Sequence, residues 1–251
     1  MRSSKKGAWR LVALFAAAAL ILAACGSDDD GGSSSATTAA GGEKKTIAFA
    51  FQGPLTGPNA ALGLNIRDGA TVALKEANAA SEKYNYVLKT FDTQGDPAQA
   101  PGQKDKYIPD EEVVAVIGPT FSGETKAVIP SLEEAGLVMI SPSATNVDLP
   151  NVAANGKVFH RIIPDDGVQS AGVADYFEKA VKPKSVALIH DNTDYGKGLF
   201  EGVLKLLDEK GIKTAVTDAV QPAGTDYSAA VNKVKAANVD VVFYGGYYSD
   251  A

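Results

Sequence analysis

From residue 46 to residue 244 the chain alternates short apolar runs of strand type with longer Ala- and Leu-rich stretches of helix type, which restricts it to few architectures. Residues 46–51 are apolar and partly β-branched, and Gly53-Pro54 punctuates them. Residues 59–80 read as a helix, 84–91 as a strand, and 97–107 as a helix with proline near its first turn. Val113–Ile117 is a continuous apolar run, expected to be buried on both faces. Ser122–Ala135 reads as a helix ended by Gly136, and 137–140 as another buried strand. The alternation continues with strands at 158–163, 185–190, 213–219 and 239–244. Helices at 166–181, 195–210 and 225–237 lie between them. Such a pattern gives an α/β fold of parallel sheets flanked by helices. Ligands of these sheets bind at the carboxyl ends of the strands, so the loops after each strand are the place to look.

The N-terminus reads differently. Arg2, Lys5, Lys6 and Arg10 make a basic start, an uncharged run follows from Leu11 to Ala24, and Leu22-Ala23-Ala24-Cys25 closes it. A basic end before a short apolar stretch is how a secretory signal is built. About fourteen uncharged residues span roughly 21 Å as a helix, short of the roughly 20 residues a membrane-spanning helix needs. Cys25 is the only cysteine, so no disulfide can form within the chain. Small residues before a cysteine at the end of an apolar run resemble the bacterial lipobox. That resemblance implies cleavage before Cys25, lipidation of it and an extracytoplasmic, membrane-anchored protein; several acyl chains would hold it stably. Residues 26–45 carry Gly, Ser, Asp and Thr with almost nothing to bury, and are expected to form a flexible tether.

Charge excludes some partners. The chain has 24 basic and 30 acidic residues, and setting aside residues 1–25 takes its net charge from −6 to −10. No basic patch stands out, which argues against nucleic acid. The glycines after the first strand are Gly53, Gly57 and Gly63, which do not make G-x-G-x-x-G, and there is no phosphate-binding loop motif. No nucleophile–base pair stands out, and His160 and His190 lie far apart without metal-ligand spacing. An enzyme is not expected, and no cofactor or metal is implied.

Two loops point to a small zwitterion. After the third strand comes Gly118-Pro119-Thr120-Phe121-Ser122-Gly123-Glu124-Thr125, where small hydroxyl residues meet a helix start. Free N–H groups and the helix dipole favour a negative group there, although a serine at such a place is also an ordinary cap. After the fourth strand comes Ser141-Pro142-Ser143-Ala144-Thr145, a second cluster of hydroxyls expected beside the first.

From about residue 45 to the end the chain resembles the periplasmic binding proteins for branched-chain amino acids. The stretches that carry this are 51–58 (FQGPLTGP), 92–100 (DTQGDPAQA), 116–122, 140–145, His190-Asp191 through Tyr195-Gly196-Lys197-Gly198, and Phe243-Tyr244-Gly245-Gly246-Tyr247. The resemblance implies two Rossmann-like lobes of the type I fold, here 46–162 and 163–251, closing by a hinge over a ligand. It implies that Ser122 and Thr145 hold the ligand's carboxylate, that the carbonyl at Ser143 takes its ammonium, that Asp166 lies near cleft and hinge, and that Tyr195 and Tyr247 close over it. Capping alone would explain Asp166 after Pro164 and Asp165, and simple packing at the start of its helix would explain Tyr195. The implied partners are an amino acid and the permease of an ABC transporter. Short amides, urea, aromatic carboxylates or a sensor role are the alternatives.

Some positions depart from the family. Leu62 stands where an aromatic often covers the ligand side chain. The loops near Gly95 and Phe121, often joined by a disulfide, have no cysteine and are expected to be held by packing. Glu124 would repel an anion if it pointed inward, and is expected to face solvent. The family crosses between lobes three times; only the crossing near residues 162–166 fits here, so both lobes are expected to be incomplete. An acidic residue for the ligand's ammonium is expected to be missing with the rest of the second lobe.

Overall fold

A computed structural model describes residues 43–153 and 156–251. The expected signal, Cys25 and nearly all of the tether lie outside the described residues. No described helix is long and apolar enough to cross a membrane.

Eight strands and six α-helices follow one another in near-strict alternation. The strands are β1 Lys45–Gly53, β2 Tyr84–Asp92, β3 Val113–Ile117, β4 Met139–Ser141, β5 Phe159–Arg161, β6 Val186–His190, β7 Thr214–Ala219 and β8 Val241–Gly245. The helices are α1 Ala60–Ala80, α2 Ala100–Tyr107, α3 Ser122–Ala135, α4 Asp166–Tyr176, α5 Asp194–Glu209 and α6 Ser228–Ala237. A π-turn at Phe177–Val181 prolongs α4 and ends at Lys182, whose φ of 50° turns the chain out of the helix.

The strands form two parallel sheets. The first has the order β2-β1-β3-β4-β5 and the second β7-β6-β8. In each, the chain leaves the starting strand to one side and returns to its other side. Because crossovers between parallel strands are right-handed, that reversal puts successive helices on opposite faces and opens a crevice at the carboxyl end of the starting strand. The loops after β1 and β3 and those after β6 and β8 therefore flank the two crevices. We call the parts built on the two sheets the first and second lobes.

Each lobe has its own core. Ala48, Ala50, Tyr107, Val116, Val128, Ile129, Leu132 and Met139 fill the first. Ala174, Val186, Leu188, Leu199, Val203 and Leu207 fill the second. Two strand expectations need correction. Val114 is 48% exposed, because the pairing of β1 with β3 slips there: Ala48 pairs with Val113 and Phe49 with Ala115, which leaves Val114 out of register. Ile140 is 43% exposed, on the side of β4 away from its buried neighbour Met139. The second helix also starts three residues later than expected. Asp96 first closes a turn of its own, its carboxylate accepting from Ala98 N–H, and the helix proper begins at Ala100 with Pro101 in its first turn.

Candidate ligand-binding site

A cavity of about 420 Å³ lies between the lobes. The first lobe lines it with Leu62 and Ile66 of α1, Thr120 and Phe121 before α3, and Pro142, Ser143 and Thr145 after β4. Ile163 and Gln169 come from the crossing segment and α4, and Tyr195, Gly246, Tyr247 and Tyr248 from the second lobe. Four of the six expected site residues, Ser143, Thr145, Tyr195 and Tyr247, thus share one cavity. Leu62 is on its wall, making one side aliphatic.

The hydroxyls are of two kinds. Ser143 Oγ donates to Thr120 O at 2.5 Å, and Ser141 Oγ donates to Pro119 O at 2.6 Å, so these two fasten the loops to each other. Thr120 Oγ1 and Thr145 Oγ1 are buried with no hydrogen-bond partner among the described residues. A buried hydroxyl left unpaired costs about 1–3 kcal/mol. The Thr120 hydroxyl is turned toward Gly53, whereas that of Thr145, on the cavity wall, marks a place where a polar ligand group restores what burial removed.

Ser122 and Asp166 do not line this cavity. Ser122 is the first residue of α3, with Phe121 as its N-cap, and is 1% exposed. Its Oγ accepts from Asn146 N–H at 3.2 Å, tying α3 to the loop that carries Thr145. The capping alternative for Asp166 falls to its neighbour. Asp165 caps α4 by accepting from Gly167 and Val168 N–H, and Thr193 caps α5 by accepting from Gly196 N–H. Asp166 is thereby left free of that duty. It is 2% exposed and borders a second cavity of about 400 Å³ between Asn146, α4 and α5. One of its oxygens accepts from Gln169 Nε2 at 3.0 Å; the other, Oδ2, has no partner among the described residues. Burial pushes its carboxyl up to about 6, against the downward pull of the nearby Thr145 hydroxyl and of Arg161.

Glu124 corrects an expectation. It does not face solvent but is fully buried, turned back over the start of its own helix. The first N–H groups of a helix have no partner inside it, and Glu124 Oε2 accepts from Phe121 N–H at 2.9 Å. Its other oxygen accepts from the Thr93 hydroxyl, in the loop after β2. That loop closes over it. Gly95 has φ of 80° and runs beneath the Phe121 ring, where an added Cβ would stand 2.8 Å from Cε2. Burial pushes Glu124 up to about 7; Asp92 and Asp96 add to this, while its two hydrogen bonds oppose it.

On the second lobe the aromatics hang from Asp191, a residue sequence reasoning did not single out. Asp191 is fully buried. Its Oδ1 accepts from Thr193 N–H and Oγ1 at 3.0 and 2.6 Å, and its Oδ2 from Tyr247 N–H at 3.0 Å. It joins the loop after β6 to the loop after β8, setting Tyr195 and Tyr247 side by side with ring centroids 5.3 Å apart. Tyr247 also stacks on Phe121 of the first lobe, centroids 4.2 Å apart and planes 29° from parallel. Burial pushes both phenols above their ordinary value, Tyr247 the further. Further contacts cross the cleft: Lys126 Nζ to Asp194 Oδ1 at 2.6 Å, Asn146 Nδ2 to Asp194 O at 2.7 Å, and Tyr248 Oη to Pro58 O at 3.1 Å. Among the described residues no cluster of His, Cys, Asp and Glu could hold a metal ion.

The geometry has counterparts among known proteins. A family model described as periplasmic binding protein matches residues 46–251. A Leu/Ile/Val-binding protein homolog of Brucella melitensis is 37% identical over 201 residues, 78% of this chain and 53% of the relative. A leucine-, isoleucine-, valine-, threonine-, and alanine-binding protein of Pseudomonas aeruginosa is 33% identical over 208 residues, 82% of this chain and 55% of the relative. The chain therefore spans about half the length of the curated relatives it matches. Among solved structures, the branched-chain amino acid transporter substrate binding protein LivJ of Streptococcus pneumoniae, in complex with isoleucine, superposes with a TM-score of 0.72 at 29% identity, covering 82% of this chain and 59% of that one. The leucine binding protein LivK of Thermotoga maritima gives 0.73 at 27% identity, with 81% and 57% covered.

Proposed function

This chain belongs to the periplasmic binding protein family, and from that premise we propose that it captures an aliphatic amino acid between its lobes. Its fold is the two-lobed type I fold of that family. One observation carries the ligand class: a buried hydroxyl without a hydrogen-bond partner among the described residues, that of Thr145, on the wall of a cavity that Ser143 and Gln169 share with Leu62, Ile66, Ile163 and aromatic rings. Small polar groups that fix orientation within an apolar wall suit a molecule with a charged head and a hydrocarbon tail.

In this reading the start of α3 and the hydroxyl of Thr145 hold the carboxylate, with Ser122 acting from behind the wall through its bond to Asn146 N–H, and the carbonyl at Ser143 takes the ammonium. Leu62, Ile66 and Ile163 enclose the side chain. Tyr195 and Tyr247 close from the second lobe. Asp166, buried behind Thr145, stands on the hinge side of that loop. Aromatic carboxylates are the second reading, favoured by Phe121, Tyr195, Tyr247 and Tyr248 on the same wall. The relatives named above are amino-acid binders by name, which supports the first. We place the folded part, as two lobes of residues 46–162 and 163–251, outside the cytoplasm. It would be tethered by residues 26–45 to a lipidated Cys25 and deliver its ligand to an ABC permease.

The test is a thermal melt with leucine, isoleucine, valine, 4-hydroxybenzoate or urea. A ligand that binds only the folded state raises the midpoint. A rise with the aliphatic amino acids and none with urea is expected; a rise with 4-hydroxybenzoate alone moves the assignment to aromatic acids. No rise with any of them removes the cavity as a site for this class.

A further inference from the structure

Glu124 has no place in the binding scheme above, yet it occupies the place where a buried negative charge does most harm to an anionic ligand. It is fully buried in the first turn of α3, two residues after Ser122. The groups that face it are acidic or neutral. Asp92 approaches from the end of β2, Asp96 from the loop after it, and the Tyr247 phenol from the second lobe. The nearest cation on its own helix, Lys126, is committed to Asp194. The two hydrogen bonds it accepts, from Phe121 N–H and the Thr93 hydroxyl, do not neutralise its charge.

We infer that this site takes up its anionic ligand together with a proton, and that Glu124 is the residue that binds the proton. Resting on the reading that a ligand carboxylate sits at the start of α3, the argument is one of linkage. Glu124 lies one hydrogen bond behind the cavity wall, since it accepts from the N–H of Phe121, which lines the cavity, and its charge favours the neutral form of the Tyr247 phenol. A carboxylate arriving there must in turn raise the affinity of Glu124 for a proton, and protonation must raise affinity for the carboxylate by the same factor. The neutral form fits the observed geometry without rearrangement. Its carbonyl oxygen still accepts from Phe121 N–H, and its O–H can donate to Thr93 Oγ1. Glu124 already sits near half-protonation at neutral pH, since burial pushes it up to about 7. Small changes in charge nearby therefore move a real fraction of a proton. Glu124 acts through the field it places on the ligand, as a positioning residue and not a contact.

Isothermal titration of the chain with L-leucine near pH 7, in phosphate and in Tris, reads proton uptake from the difference in heat. The expected result is net uptake of a fraction of a proton, with affinity falling roughly fivefold from pH 6 to pH 8. Glu124→Gln mimics the protonated form, and should abolish the uptake and keep its acid-side affinity at all pH. His190→Gln, at a titrating group outside the binding scheme, should leave the uptake in place. Leucine binding without uptake in the wild type overturns the inference and leaves the proposed function standing. So does uptake that survives undiminished in E124Q or vanishes in H190Q. Should E124Q fail to fold, the wild type and H190Q decide alone. Absence of any leucine binding overturns the proposed function, and this inference with it.

Discussion

Each lobe holds its side of the cavity in place with a fully buried carboxyl group, and the two are held in different ways. In the second lobe Asp191 accepts three hydrogen bonds, two from Thr193 and one from Tyr247 N–H, and braces the two loops that carry Tyr195 and Tyr247. In the first lobe Glu124 accepts two, has Asp92 and Asp96 for neighbours, and is pushed up to about 7. The number and placement of donors decide the outcome. A carboxyl met by three donors ties loops together; Glu124, met by two and set among other acids, is pushed toward its protonated form. Hence the second lobe builds its site on a carboxyl that joins two loops, and the first builds its site around a group for which charge is a liability.

Removing each group separates the cases. Asp191→Ala is expected to cost the most, on the order of 3–5 kcal/mol, because it strands buried donors on two loops at once; urea denaturation measures it. A loss under 1 kcal/mol would mean that the loops hold without the brace, and the contrast would fail at its first step.

Glu124→Gln should do the reverse. The folded carboxyl titrates near 7 and the unfolded one near 4.5, so the protonated form is favoured by folding. Its stabilisation is complete below the unfolded value, and is lost as pH rises through the folded one. Wild-type stability relative to E124Q should therefore drop by about 3 kcal/mol between pH 4.5 and pH 7 and level off above. A difference that does not change with pH would show that Glu124 stays ionised throughout. Asp166, also pushed up, adds a fall of the same sign at lower pH, which cancels in this comparison.

Thr145→Ala tests the first lobe's side of the binding scheme. Removing a hydroxyl that pairs with a charged ligand should weaken leucine by roughly 1–3 kcal/mol while leaving the midpoint of the free protein unchanged or higher, since an unpaired buried group is lost. Unchanged affinity would take Thr145 out of the site. The smallest effect is expected at the rim. Lys126→Ala breaks an ion pair whose lysine side chain is 56% exposed, and should change stability by less than about 1 kcal/mol, the range of exposed pairs. A larger loss would move lobe-to-lobe cohesion from the Phe121–Tyr247 stack to the salt bridge.

Much of this was legible in the sequence because it depends on local chemistry. The alternation of strand and helix, the glycine that ends α3, and the hydroxyl loops after β3 and β4 follow from periodicity and turn chemistry. So does the placing of ligand loops at strand ends. Ser143, Thr145, Tyr195 and Tyr247 share a cavity because each lies just past a strand, where a parallel sheet puts its binding loops. Asp191 stood in plain view after β6, but a single aspartate before a helix reads as a cap; its bond to Tyr247 N–H spans 56 positions that only the fold brings together.

Glu124 marks the limit most clearly. By itself the sequence determined a charged residue in the first turn of a helix, and for such a residue solvent is the default partner. Tertiary structure decided otherwise, because the loop after β2 lays Thr93, Gly95 and Pro97 across that helix start and leaves the side chain no route to water. Local pattern fixes which backbone a residue is on, whereas burial is set by what the rest of the chain packs against it, and burial is what turned an ordinary carboxylate into one that holds its proton near neutral pH.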